Sequence, residues 1–362
     1  MKKIKVVSLF SGCGGLDYGF IKAGYEIVWA NDILKDACET YKLNFGDHIV
    51  HSDINVLDKT IIPKADILIG GPPCQSFSLV GKRDQNDERS NLVWSYLEVL
   101  QQVQPSCFLL ENVTGLLSAK DIDGSKVIDN LVKAFENFGY RVQVHKLNAA
   151  DYGVPQNRNR VFIVGNKLGT AISAPPQTHT DTQNGLTKWV TMFDTLSDLS
   201  DTSTNGTGFY TREPTSVYQQ LMRAETKDTF NLHFTPYESE KDKLLIKHIP
   251  EGGNYTHVPD NIATTRILNF KKTGGRTTTY GRLAKDKPSY TLNTHFNRLN
   301  VGCNIHYDKD RLISLREGLR IQSFPDDFKV YSANKRNYYV QIGNAVPPLL
   351  AYAWAKHLKD NF

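Results

Sequence analysis

The chain has 362 residues, 40% of them hydrophobic and 22% charged, with a net charge of +5. That is long enough for two domains and a sizeable core. The apolar run Val6 to Phe10 is broken at once by Ser11-Gly12, too short for a signal peptide, and no segment approaches a membrane span. The five cysteines (13, 38, 74, 107 and 303) are odd in number and none falls in a C-x-x-C pair. This suits a reducing compartment and argues against a zinc site or a disulfide framework.

In chain order, Ile4 to Phe10 is apolar and β-branched and reads as a strand, followed by a helix over Leu16 to Ala23. Glu26 to Ala30 and Ile33 to Leu43 repeat the strand–helix pair. Asp66 to Ile69, Cys107 to Leu110, Val142 to Leu147 and Val161 to Val164 continue the strands, with helices over Asn91 to Val103 and Lys126 to Phe138 between them. Such alternation predicts an α/β fold, doubly wound, with a mostly parallel sheet covered on both faces. Near residue 166 the pattern changes, and residues 170 to 300 are rich in Thr, Asn, Gly and Pro, which predicts a second, irregular domain. From about residue 339 an apolar tail, Leu349 to Trp354, reads as a return to the first domain. The expected division is 1–190 plus 337–362 against a smaller inserted domain at 191–336. Residues 266 to 336 carry 15 Lys and Arg against 6 Asp and Glu, so a polyanion-binding face is expected there, a solvated surface being the alternative.

The most informative stretch is Gly70-Gly71-Pro72-Pro73-Cys74-Gln75-Ser76, which stops the strand Ile67 to Ile69 and presents Cys74 in a turn. A thiol there is either a nucleophile or a buried structural cysteine. Pro73 and the loop residues after it favour the nucleophile. Phe10-Ser11-Gly12-Cys13-Gly14-Gly15 joins the first strand to the first helix, and its glycines allow a ligand to approach a helix N-terminus. Asp32 ends the second strand and Asp53 follows the run Ile49-Val50-His51, so acids at successive strand ends suit a nucleoside. The spacing is not G-x-G-x-x-G, and a dinucleotide is not implied. Glu111 follows Cys107 to Leu110. It is either a paired structural acid or a carboxyl with a raised pKa that donates a proton. Gln156-x-Arg158-x-Arg160 precedes another core strand. In extended chain its two Arg share a side and want an anion or Glu111, unless they form a solvated edge.

These blocks, with Asn112-Val113, Arg320-Ile321-Gln322-Ser323-Phe324-Pro325 and Gln341-Ile342-Gly343-Asn344, resemble in order and spacing the motifs of the DNA cytosine-5 methyltransferase family, of the bacterial restriction-modification type. The resemblance covers about residues 4 to 165 and 311 to 355, with Asp32 where many members carry Glu. The intervening segment is where that family places target recognition. Only Thr291-Leu292 there resembles a family pattern.

The resemblance implies an AdoMet-dependent methyltransferase domain with an inserted target recognition domain. The activity implied is methyl transfer from S-adenosylmethionine to carbon 5 of a flipped-out cytosine in a short double-stranded DNA sequence. Cys74 would be the covalent nucleophile and Glu111 the acid at the base, with Arg158 and Arg160 beside it. Phe10, Gly12, Gly14, Asp32, Asp53, Ile54, Pro73, Leu92 and Asn344 would hold S-adenosylmethionine, with no metal. Gln75, Ser76, Arg83, Arg276, Arg282, Thr291 and Arg298 would meet DNA. A cytoplasmic monomer is expected, with a cognate restriction endonuclease as genetic partner. An RNA-modifying relative would carry Cys-Phe-Thr and lack the long variable segment, a non-catalytic relative would lose Cys74 or Glu111, and an oxidoreductase would need a better phosphate loop.

Overall fold

The computed structural model describes residues 3–73, 92–121, 123–182, 185–226 and 228–361. Its strands begin β1 (Lys5–Leu9), β2 (Glu26–Asp32), β3 (Ile49–His51), β4 (Ile67–Gly70), β5 (Cys107–Val113), β6 (Arg141–Asn148), β7 (Gln156–Asn157) and β8 (Asn159–Asn166). The helices are α1 (Gly15–Lys22), α2 (Lys35–Phe45), α3 (Leu92–Val103), α4 (Val127–Asn137), α5 (Met192–Leu196), α6 (Val217–Arg223), α7 (Glu240–Lys247), α8 (Thr265–Thr273), α9 (Leu315–Ile321), α10 (Lys335–Asn344) and α11 (Pro348–Asp360).

The chain divides into two compact units. The first comprises residues 1–148, 159–176 and 350–362, and the second 149–158 and 177–349. These bounds depart from the sequence-based division, because 149–158, 177–190 and 337–349 fall with the second unit, which is also as long as the first rather than smaller. The reason for the C-terminal shift is visible in α10. Its carbonyls at Ile342 and Gly343 are held by Gln322 and Arg158, both of the second unit.

The first unit is a seven-stranded sheet of order β3-β2-β1-β4-β5-β8-β6. All neighbours are parallel except that β8 runs antiparallel to both β5 and β6. Alternation along the strands sorts the two faces. Val7 and Leu9 of β1 and Phe108 and Leu110 of β5 join α3 and α4 in one core. Helix α4 supplies Val127, Ile128, Leu131 and Phe135, spaced for one helical stripe, and the Phe135 ring stacks on Phe108 at 4.3 Å between centroids. On the opposite face Ser8 meets α1, and Phe162 meets Trp354 of α11. A Cβ on Gly19 of α1 would stand 2.4 Å from the backbone N of Tyr352, so α1 and α11 pack main chain to main chain. Strand order reverses between β1 and β4, which opens a crevice at their carboxyl ends.

The second unit is built from short helices and two-residue strand pairs around small clusters, such as Leu245, Ile246, Tyr255 and Ile267. Buried arginines knit it. Arg320 is fully buried and binds Asp198 and Asp326, each at 2.6 Å. Arg316 donates to the carbonyls of Asn231, Pro325 and Phe328. The positive balance of residues 266 to 336 is therefore in part interior, because Arg282, Arg316 and Arg320 are buried and Arg311 pairs with Glu317.

Candidate active site

The loops at the carboxyl ends of β1 to β5 gather most of the residues singled out in the sequence. After β1 the chain turns through Phe10 at φ +53° and Gly12 at +56°, then enters α1 from Gly14 at +88°. The left-handed conformation strains Phe10, and at Gly14 a Cβ would strike the Phe45 ring at 2.2 Å. At Gly12 a Cβ meets nothing within 4 Å, so this glycine borders open space. The loop is laced to the end of β2. Ser11 N donates to Asn31 O, and Gly12 N donates to Asp32 Oδ2 at 2.8 Å. The other Asp32 oxygen accepts from Leu34 N at 2.7 Å. Burial pushes the Asp32 carboxyl above its usual range, opposed by those two N–H groups.

Asp53 stands after β3, where its carboxylate accepts from Asn55 N at 2.9 Å. The Ile54 side chain belongs to the core, which leaves only its main chain for a ligand. Leu92 opens α3 and packs partly against the same core.

Strand β4 ends at Gly70, and Pro73 is exposed in the turn that follows. Strand β5 is longer than expected, so Glu111 and Asn112 lie within it, opposite Phe162 and Val161 of β8. Asn112 Nδ2 donates to Pro72 O at 3.0 Å and ties the proline turn to β5. Glu111 is nearly buried, and Oε1 meets Arg160 Nε at 2.8 Å. Oε2 faces Gly71, where a Cβ would come within 3.1 Å. The positions expected at Cys74, Gln75, Ser76 and Arg83 lie outside the described residues. The other four cysteines are buried thiols outside any disulfide, and burial pushes those of Cys13, Cys38 and Cys303 up to about 12.

Two sequence-based assignments are corrected. Arg158 does not share a strand face with Arg160, because β7 ends at Asn157 and β8 begins at Asn159, so that Arg158 falls in neither strand. Its buried guanidinium donates to the carbonyls of Leu292, Gly343 and Ala345. Gln156 lies in the same network, donating to Gln322 Oε1 and accepting from Leu292 N. Motifs far apart in sequence thus meet as scaffolding. Arg282 is likewise interior. It donates to the carbonyls of Ile249, Ile246, His306 and Lys309 and pairs with Asp310 at 2.7 Å, which leaves a DNA-reading role no reach.

Arg276 and Thr291 do converge. Both line a recess of about 700 Å³ in the second unit, with Arg266, Tyr290, Asn157 and Asn300. Thr291 Oγ1 donates to Asn157 O at 2.8 Å, and Arg266 lies over the Phe270 ring at 5.1 Å. Exposed Arg298 lines a separate recess of about 350 Å³. Asn344 is exposed at the end of α10 in the second unit. Among the described residues no three potential metal ligands cluster, and no helix is long and apolar enough to cross a membrane.

Sheet order, a glycine turn over open space and acids at successive strand ends define an α/β domain whose crevice suits a nucleoside-bearing ligand. The family model for C-5 cytosine-specific DNA methylase matches residues 4–360. The chain is 38% identical to Type II methyltransferase M.NgoFVII of Neisseria gonorrhoeae, over 99% of this chain and 87% of that one. It is 34% identical to M.FnuDI of Fusobacterium nucleatum, over 99% and 94%. The fold is similar to that of an E. coli protein described as a prophage-encoded DNA modification methyltransferase, with a TM-score of 0.74 at 23% identity over 99% of both chains. It is also similar to that of S. pombe Dnmt2 methyltransferase, with a TM-score of 0.60 at 19% identity, over 99% of this chain and all of that one. The chain belongs to the C-5 cytosine-specific DNA methylase family, and it is a DNA (cytosine-5) methyltransferase.

Proposed function

We propose that this enzyme methylates a cytosine within a specific double-stranded DNA sequence through a covalent Cys74 adduct on an extruded base, as the modification half of a type II restriction-modification system. The observation that carries this reading is the Glu111–Arg160 pair at the end of β5, beside the turn that leads into Cys74. Carbon 5 of cytosine is a poor nucleophile. Addition of the Cys74 thiolate at carbon 6 makes the ring an enamine. Glu111 supplies a proton at ring nitrogen 3 as charge builds there, with Arg160 orienting its carboxyl. Positioned acids of this kind contribute roughly 10²–10⁴-fold. Once carbon 5 carries the methyl group, its proton passes to water acting as base, the carbon 6–sulfur bond breaks to return the thiolate, and nitrogen 3 gives its proton back to Glu111. The burial of Cys13, Cys38, Cys107 and Cys303 supports Cys74 as the nucleophile, since an attacking thiolate must be reachable.

S-adenosylmethionine, when bound, supplies the methyl group. The crevice fits it, since Gly12 borders open space and Asp32 stands at the strand end where ribose hydroxyls are taken. Phe10, Gly14, Asp53, Pro73 and Leu92 would complete its surroundings in the first unit. The recess with Arg276 and Thr291 would read bases in the second unit, and Arg298 would contact phosphate. The base leaves the duplex because carbon 6 is hidden in the stack, at a cost of a few kcal/mol.

Bisulfite sequencing of DNA from a host expressing the chain reports activity and target together. A duplex with 5-fluorocytosine at that target should trap the wild type covalently and leave Cys74→Ser untrapped. An adduct mapped to another cysteine would sink the assignment.

A further inference from the structure

Beneath the glycine loop lies a buried polar chain that the mechanism does not use. Asp17, on the first turn of α1, is fully buried, as are Ser8 and Tyr41. Ser8 Oγ donates to Asp17 Oδ2 at 3.0 Å, and Tyr41 Oη donates to Asp17 Oδ1 at 2.9 Å. Ser11 Oγ, in the loop itself, lies 2.9 Å from Ser8 Oγ, and Tyr41 Oη lies 3.0 Å from His48 Nε2.

We infer that Asp17 is a positioning residue for S-adenosylmethionine, its carboxylate fixing the Phe10–Gly14 loop through Ser8 and Ser11 and fixing α2 and the entry to β3 through Tyr41 and His48. This rests on the reading that the crevice holds that molecule. Each hydroxyl has one proton to give. Tyr41 gives its proton to Asp17, so its oxygen accepts from His48 Nε2–H. Ser8 gives its own to Asp17, so its oxygen is left to accept from Ser11, whose hydroxyl also lies 3.2 Å from Ser8 O. The protons of Ser8 and Tyr41 reach different oxygens of Asp17, and that order needs an acceptor at both. The elements it ties border the crevice residues: the loop contains Gly12, α2 starts just after Asp32, and β3 ends just before Asp53. A buried carboxylate served by hydroxyls is a costly way to fill a core position, and burial pushes its pKa up to about 6. Such local costs belong to functional sites.

The test compares Asp17→Asn, Tyr41→Phe, their double variant, Asp32→Ala and a control, Tyr218→Phe. Tyr218 is buried in the second unit and donates to Arg320 O. Measured quantities are the Kd of S-adenosylhomocysteine by calorimetry, KM and kcat, DNA affinity by gel shift, and Tm. An amide at 17 turns one N–H₂ toward a hydroxyl, and loss of one such bond is about tenfold. Asp17→Asn should therefore raise Kd and KM roughly tenfold, with kcat and DNA affinity within about threefold. The double variant should be no worse than Asp17→Asn alone, as members of one network are not additive. The control should lower Tm without moving KM. If Asp17→Asn lowers Tm as the control does and leaves Kd unmoved, the inference is overturned. Should Asp17→Asn not fold, Tyr41→Phe decides, and an unchanged Kd there overturns it too. Weak binding by Asp32→Ala beside normal binding by Asp17→Asn rejects this inference alone. Normal binding by Asp32→Ala rejects the crevice reading itself.

Discussion

Arg160 reaches Glu111 across the β5–β8 pair, Nε to Oε1 at 2.8 Å, from a residue set opposite Val113 rather than opposite Glu111. The diagonal reach lets the guanidinium hold the carboxylate from the side while β5 presents it at the strand end. Removing one partner of a nearly buried pair leaves an uncompensated charge, which is strongly destabilising. Arg160→Ala should therefore lower kcat and Tm together, whereas Arg160→Lys should recover part of the Tm and less of kcat, because one point charge replaces a fixed fork.

Glu111→Gln keeps the shape of the side chain and an acceptor for Arg160 Nε but removes the charge, so some loss of Tm accompanies it. The amide still fits beside Gly71 and Asn112 but lacks the proton to give. At saturating substrates kcat should fall by roughly 10²-fold or more, with DNA and S-adenosylhomocysteine affinities retained. A loss below threefold in single-turnover rate would mark Glu111 as structural.

Arginines of the second unit should sort by where the structure puts them. Arg276→Ala should cost about 1–3 kcal/mol on the target sequence and much less on random DNA if it meets a base edge. Arg298→Ala should weaken both alike and flatten the salt dependence. Arg282→Ala should instead destabilise by a few kcal/mol, chiefly through carbonyls left without their donor, each costing about 1–3 kcal/mol where buried. Gel shifts across a salt series, read beside melting curves, check all three.

Asp17 gives a pH signature in stability. Its carboxyl is raised from 3.8 to about 6, first by burial, with Tyr41 and Ser8 opposing and Asp32 adding repulsion. The folded state therefore binds the proton more tightly than the unfolded chain, and this site loses stability as pH rises from about 4 through 6. Asp17→Asn removes that slope. The stability difference between variant and wild type should change in the variant's favour by about 3 kcal/mol over the full window, at about 1.4 kcal/mol per pK unit. Denaturant titrations at several pH values between 4 and 7.5 measure it. Glu317 acts in the opposite sense, held well below its usual range against the cost of burial chiefly by Arg311, so its contribution is lost at lower pH.

The strand-end residues were legible in the sequence because glycines and acids mark locally where an apolar run stops. Phe10 to Gly15, Asp32, Asp53 and Glu111 all stand at or near strand ends in the first unit. The arginines were not legible. Nothing near Arg320 announces Asp198, which lies 122 residues away, and Arg158 finds its carbonyls 134 to 187 residues on. Counting charge along the segment treated interior guanidinium groups as surface. Asp17 was invisible for the complementary reason, since an acid on a first helical turn reads as an ordinary dipole partner.

The meeting of α1 and α11 bears on how the protein is made. Gly19 lies against Ala351 and Tyr352, Tyr25 Oη donates to Ala355 O, and the Trp354 ring sits tilted against Phe162. A ribosome delivers residues 350–361 some three hundred residues after α1, and the second unit has been synthesised by then. The sheet face around Phe162 thus stays uncovered through most of translation, which proceeds at about 5–20 residues per second. Prematurely terminated chains lack this helix, so the first unit completes its packing only once the second unit has been made.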